Sequence, residues 1–110
     1  MKQYVIDQLR PQDYINLKTH LDAGYPQAGL PGIYRISIDP GILTENQLAH
    51  TECQPYYFAV ELNPNSISSE LLVRSSQKLR CICMGYATKI QRDWLIDWID
   101  AMMNETGVRV

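Results

Sequence analysis

The residues with the clearest chemical potential are His50-Thr51-Glu52-Cys53 and Cys81-Ile82-Cys83. Together they supply one imidazole and three thiols, the number and type of ligands that hold a structural zinc ion. His50 and Cys53 are three apart, a spacing that can place both on one face at the end of a short helix. The second pair fits less well. On an extended strand, residues two apart share a face at about 7 Å, whereas zinc at about 2.3 Å from each sulfur needs its ligands closer together. The alternative is that Cys81 and Cys83 are small buried hydrophobes on a central strand. A cysteine nucleophile would have to take its base from His20 or His50, the two histidines of the chain, and only the His50 and Cys53 spacing places them together. Zinc is thus the one cofactor these residues suggest, and otherwise none is expected.

Other chemistries find less support. The chain has no glycine-rich phosphate loop followed by Lys and Ser/Thr, no dinucleotide fingerprint and no Gly-x-Ser-x-Gly elbow, so no catalytic motif identifies an enzyme. Asp93, Asp97 and Asp100 line one side of the last helix and are read as its solvated face rather than as a site for a hard cation. A small-molecule pocket remains open as a third reading, between the Pro/Gly-rich loop 25–32 and the sheet. The strand-borne polar residues Arg35, Tyr57, Glu61, Arg74 and Arg80 are its candidate lining.

The elements that must position these groups follow from periodicity and punctuation. Tyr4 to about Leu9 opens as a strand. Pro11 and Gly24 bracket a helix whose Tyr14, Leu17 and Leu21 form a narrow apolar stripe. Ile33 to Asp39 alternates, with Tyr34, Ile36 and Ile38 on one face. Thr44-Glu45-Asn46-Gln47 is a capping box that starts a short helix ending near His50. Tyr56–Leu62, Leu71–Arg74 and Leu79–Ala87 read as three strands of an antiparallel meander, the last of them central and covered on both faces. Thr88-Lys89-Ile90-Gln91 is a second capping box, and it begins the longest helix, which ends near Gly107. The expected fold is α+β, with an antiparallel sheet of about five strands, an N-terminal helix, a short middle helix and a long C-terminal helix, in the order β-α-β-α-β-β-β-α.

That last helix carries an excess of apolar surface. From Ile90 to Met103 its hydrophobic side chains sweep about 240°, where a helix on one sheet needs about 100°. The leading expectation is therefore a self-associating binding module, a twofold dimer joined through Trp98, Ile96, Ile99 and Met103.

Composition sets the outer bounds. The 110 residues suit a single domain over 1–110. With 45% hydrophobic and 20% charged residues the chain has the profile of a folded globular protein. A net charge of -2 without a Lys/Arg run argues against nucleic acid, and Gly29-Leu30-Pro31-Gly32 has no basic neighbours to act as an RNA-clamping loop. The expectation of a cytoplasmic location rests on three features: Met1-Lys2-Gln3 leads directly into strand-like sequence, no apolar run reaches membrane length, and three cysteines suit reduced thiols.

Overall fold

Large apolar side chains alternate with short or polar ones over Tyr56–Asn63, and this stretch forms the longest strand, on which the rest of the sheet is built. The computed structural model describes residues 2–27 and 29–108. Its elements are β1 (Gln3–Ile6), α1 (Pro11–Gly24), β2 (Ile33–Ser37), α2 (Glu45–Ala49), β3 (Tyr56–Asn63), β4 (Ser66–Glu70), β5 (Leu72–Ser75), β6 (Gly85–Tyr86) and α3 (Lys89–Glu105). All strand pairings are antiparallel, so the expected α+β class holds.

One edge of β3 pairs with β2, from Ile33↔Glu61 to Ser37↔Tyr57. The other edge pairs with β4 through Val60↔Ser69 and with β5 through Tyr57↔Arg74. β4 and β5 are therefore one strand interrupted at Leu71. Beyond them β1 and β6 meet nearly end to end, because the Leu71 N–H donates to the Lys2 carbonyl at 3.0 Å and the Ala87 N–H donates to the Leu71 carbonyl at 2.7 Å.

Helices cover only one sheet face. Tyr34, Ile36, Phe58, Val60, Leu62 and Ile67 point to that side and pack with Leu17 and Leu21 of α1 and with Leu95, Ile99, Met102 and Met103 of α3, all buried. Each such large side chain contributes about 2 kcal/mol by leaving water. Both expected capping boxes form. Thr44 Oγ1 and Thr88 Oγ1 accept the N–H groups of Gln47 and Gln91, whose side-chain oxygens accept the threonine N–H groups in return. Gly107 closes α3 with a φ of 75°, and the Val108 N–H reaches back to the Met103 carbonyl at 2.9 Å.

Three expectations need correction. First, Leu79–Ala87 is not a central strand. Only Gly85–Tyr86 pair, at the sheet edge, and residues 76–84 belong to no strand or helix. Nothing covers this stretch on both sides, and Leu79 and Ile82 are 98% and 85% exposed. Second, Ser66–Glu70 is a strand that its polar composition concealed; Ile67 and Ser69 are its buried positions. Third, the apolar arc of α3 is largely covered within one chain. Ile99 and Met103 lie in the core and present no surface to a partner, while Ile96 and Trp98 are half-buried. The reason is a second neighbour beside the sheet. Asn16 of α1 donates from Nδ2 to the Thr106 carbonyl at 3.2 Å, and Tyr25 packs edge-on against Trp98 with ring centroids 5.3 Å apart.

Candidate metal centre

Two connections carry the cysteines. The first runs from α2 to β3: the Cys53 N–H donates to the His50 carbonyl at 2.9 Å, forming a tight turn that directs the Cys53 side chain into the core. The second runs from β5 to β6, and there the Met84 N–H donates to the Cys81 carbonyl at 3.0 Å. This reverse turn brings the Cys81 and Cys83 side chains onto the same side as Cys53 and removes the spacing problem of an extended pair. The Sγ atoms of Cys53, Cys81 and Cys83 all lie within 4.8 Å of one another. Among the described residues this is the one group of three or more potential metal ligands so close together. Cys53 and Cys83 are buried and Cys81 is half-exposed.

The two connections are also braced to each other. Ser75 Oγ donates to the Cys53 carbonyl at 2.5 Å and accepts the N–H groups of Gln77 and Lys78, each at 3.1 Å. A second brace joins the two capping boxes. Gln91 Nε2 donates to Gln47 Oε1 at 2.8 Å and to the Ile42 carbonyl at 3.1 Å, locking the start of α3 to α2. The Asn46 side-chain amide reaches the Ile82 carbonyl at 3.4 Å.

The electrostatics distinguish the three thiols. Cys81 is drawn down to about 7, first by the Cys83 N–H pointing at its sulfur, then by the Cys83 thiol, with smaller help from Cys53 and His50 against the opposing effect of burial. Cys53 is pushed up to about 11, chiefly by burial and then by its hydrogen bonds with the other two thiols. Tyr56 is raised as well, by burial first and by contact with Cys83 second, and its hydroxyl donates to the Gln47 carbonyl at 3.0 Å. The Cys81 thiolate is thus favoured near neutrality, and a cation would be needed to ionise Cys53 as well.

Three sulfurs this close could hold a metal ion. Tetrahedral ligands at about 2.3 Å place sulfurs about 3.8 Å apart, so the cluster needs to contract by about 1 Å or less. His50 is not within the 4.8 Å group. Its Nδ1 lies 2.7 Å from the Asn46 carbonyl. A carbonyl can only accept, so Nδ1 is the donor in this contact, and in the neutral ring that leaves the lone pair on Nε2, the tautomer that metal-binding histidines use.

The other candidate residues do not gather beside the Pro/Gly loop. Arg35, Tyr57, Glu61 and Arg74 lie on the sheet face that carries no helices. There Arg35 stacks 4.8 Å from the Tyr57 ring centroid, and Arg74 is held by Glu70 at 2.8 Å. Arg80 is exposed in the β5–β6 connection. The hollow beside the Pro/Gly loop opens on the opposite face. It is a 160 Å³ space lined by Tyr14, Lys18, Gln27, Pro31, Gly32, Tyr34 and Leu62, and Ala28 of that loop lies outside the described residues. Four of the five proposed lining residues thus share one sheet face, the one opposite this hollow. Asp93 pairs with Lys89 at 2.8 Å, and Asp100 accepts from the Tyr4 hydroxyl at 3.4 Å, as an outer helix face does.

Sequence reasoning missed Ser75 and the Gln47–Gln91 link as positioning residues. Both glutamines stand at the third helical position of a capping box, which was the available signal. No described helix is long and apolar enough to cross a membrane. No protein-family model, curated protein or solved structure matches the chain.

Proposed function

We propose that this protein is a small zinc-binding module in which the thiolates of Cys53, Cys81 and Cys83 hold the ion and His50 Nε2 completes the set. The observation that carries this reading is the convergence of three sulfurs from two connections about thirty residues apart within 4.8 Å. Bound zinc would cross-link the α2–β3 connection to the β5–β6 connection, which no regular strand pairing otherwise secures. This is a structural role, consistent with a fully protein-derived donor set. The test is metal analysis of protein purified under reducing conditions, paired with a thiol titration before and after chelation. Stoichiometric zinc with three thiols that react only after the metal is removed is the expected result. A metal-free chain whose thiols react identically with and without added zinc overturns it.

A second reading, self-association, is favoured by a different surface from the one expected. Leu79, Ile82 and Ile90 are 98%, 85% and 67% exposed along one stretch of chain that includes the start of α3, and exposed apolar side chains in such density mark contact surfaces. Light scattering after size exclusion tests it. A dimer that dissociates in a Leu79→Lys/Ile82→Lys variant supports it, and a monomer at micromolar concentration removes it.

A further inference from the structure

The three thiols are not equivalent in access. Cys53 and Cys83 are buried, and Cys81 alone meets solvent. It also sits on the stretch 76–84, which belongs to no strand or helix and can shift at lower cost than the strands that flank it. An oxidant arriving from solvent therefore meets Cys81 first, with a second sulfur no more than 4.8 Å behind it. Sensor cysteines share this pairing of an accessible thiol with a nearby resolving thiol.

We infer that Cys81 is an oxidation site, at which a hydroperoxide forms a sulfenic acid that Cys53 resolves to a Cys53–Cys81 disulfide. The inference takes from the zinc reading only the assembly of the three sulfurs. In the first step the Cys81 thiolate attacks the terminal oxygen of the peroxide; the S–O bond forms, the O–O bond breaks, and the departing hydroxide (or alkoxide) takes up a proton. In the second step Cys53 sulfur attacks Cys81 sulfur; the S–S bond forms, the S–O bond breaks, and the Cys53 proton leaves with the hydroxide as water. Two thiols lose two electrons in all, and the peroxide gains them. Cys53 rather than Cys83 is the resolving residue because Cys81 and Cys83 are separated by one residue in a tight turn, a spacing that strains the dihedral angle a disulfide needs. In the zinc-loaded protein the same reaction consumes two of the three thiolates, so oxidation expels the ion.

The full chain is tested in two forms, zinc-loaded and chelator-stripped. Each is treated with hydrogen peroxide, with and without a sulfenic-acid trap, and mapped by peptide mass spectrometry. The expected result is trapping at Cys81, a Cys53–Cys81 disulfide that persists in Cys83→Ser, and zinc release in step with disulfide formation. Sulfenic acid that appears first at Cys53 or Cys83, or a disulfide between Cys81 and Cys83, overturns the inference. Alkylation of the unmodified stripped chain gives a readout free of any folding defect in a variant. Cys81 should react at least about tenfold faster than the buried pair, whose exposure requires local opening, and equal rates count against it. If zinc does not bind but the disulfide forms, the metal reading fails and the oxidation site stands; if zinc binds and Cys81 shows no preference, the reverse holds.

Discussion

Replacing Gln91 by leucine removes the brace between the two capping boxes without leaving a cavity. The wild-type side chain makes three hydrogen bonds, donating to Gln47 Oε1 and to the Ile42 carbonyl and accepting from the Thr88 N–H. The residue is fully buried and its partner Gln47 is buried beside it. At about 1 kcal/mol net for each bond the substitution costs about 3 kcal/mol. Small domains have only about 5–15 kcal/mol in total, so this is a large fraction. For a chain of this size the melting temperature falls by about 12 °C, at about 4 °C per kcal/mol. Urea titrations of wild type, Gln91→Leu, Gln47→Leu and the double variant measure it directly. The double-variant cycle should show coupling of about 1–2 kcal/mol, because the two side chains are hydrogen-bonded to each other. A loss under about 1 kcal/mol with an unchanged denaturant slope, or strictly additive single losses, refutes the reasoning.

Two further predictions concern the site's support and the acid limit of stability. Ser75→Ala leaves the Cys53 carbonyl and two loop N–H groups without their shared partner; it should destabilise the zinc-free chain by about 2 kcal/mol and weaken zinc binding by about 10- to 100-fold. Chemical denaturation and a competitive zinc titration separate the two effects, and unchanged zinc affinity removes Ser75 as a positioning residue. The Asp13 carboxyl is held below the usual carboxylate range, first by the Arg10 side chain and then by the Arg10 N–H. Its unfolded-state value is the higher of the two, so the stabilisation is present at neutral pH and is lost as the pH falls from about 5 towards 1. Asp13→Asn should therefore flatten that part of the stability profile in urea titrations across the acid range, and an unchanged acid slope contradicts the assignment.

How much of this was legible in the sequence depended on how local the signal was. Both capping boxes, the span of α1 and the alternation of Tyr34, Ile36 and Ile38 are written in neighbouring residues, and they appear in the structure as read. β4 was hidden because Ser66, Ser68 and Ser69 carry almost no hydrophobic pattern; its position is set by pairing with β3 and β1. The stretch Leu79–Ala87 failed in the opposite way. Its apolar composition resembles a strand, yet the Cys81–Met84 turn gathers its sulfur-bearing side chains and leaves Leu79 and Ile82 in solvent. The four residues proposed for zinc were visible by type, but the turn that makes three of them neighbours depends on where β5 ends and β6 begins. The excess apolar arc of α3 was also real as a pattern. Part of that arc is taken up within one chain, because the contact between α1 and α3 is tertiary and leaves no local trace.

Titration of the stripped, reduced chain with cobalt(II), followed by absorption spectroscopy, tests the zinc assignment most directly. Strong visible bands of tetrahedral cobalt, with a thiolate-to-metal charge-transfer band that saturates at one equivalent and weakens in each of Cys53→Ser, Cys81→Ser and Cys83→Ser, are the predicted outcome. A weak octahedral spectrum without charge transfer, unchanged by those substitutions, contradicts it.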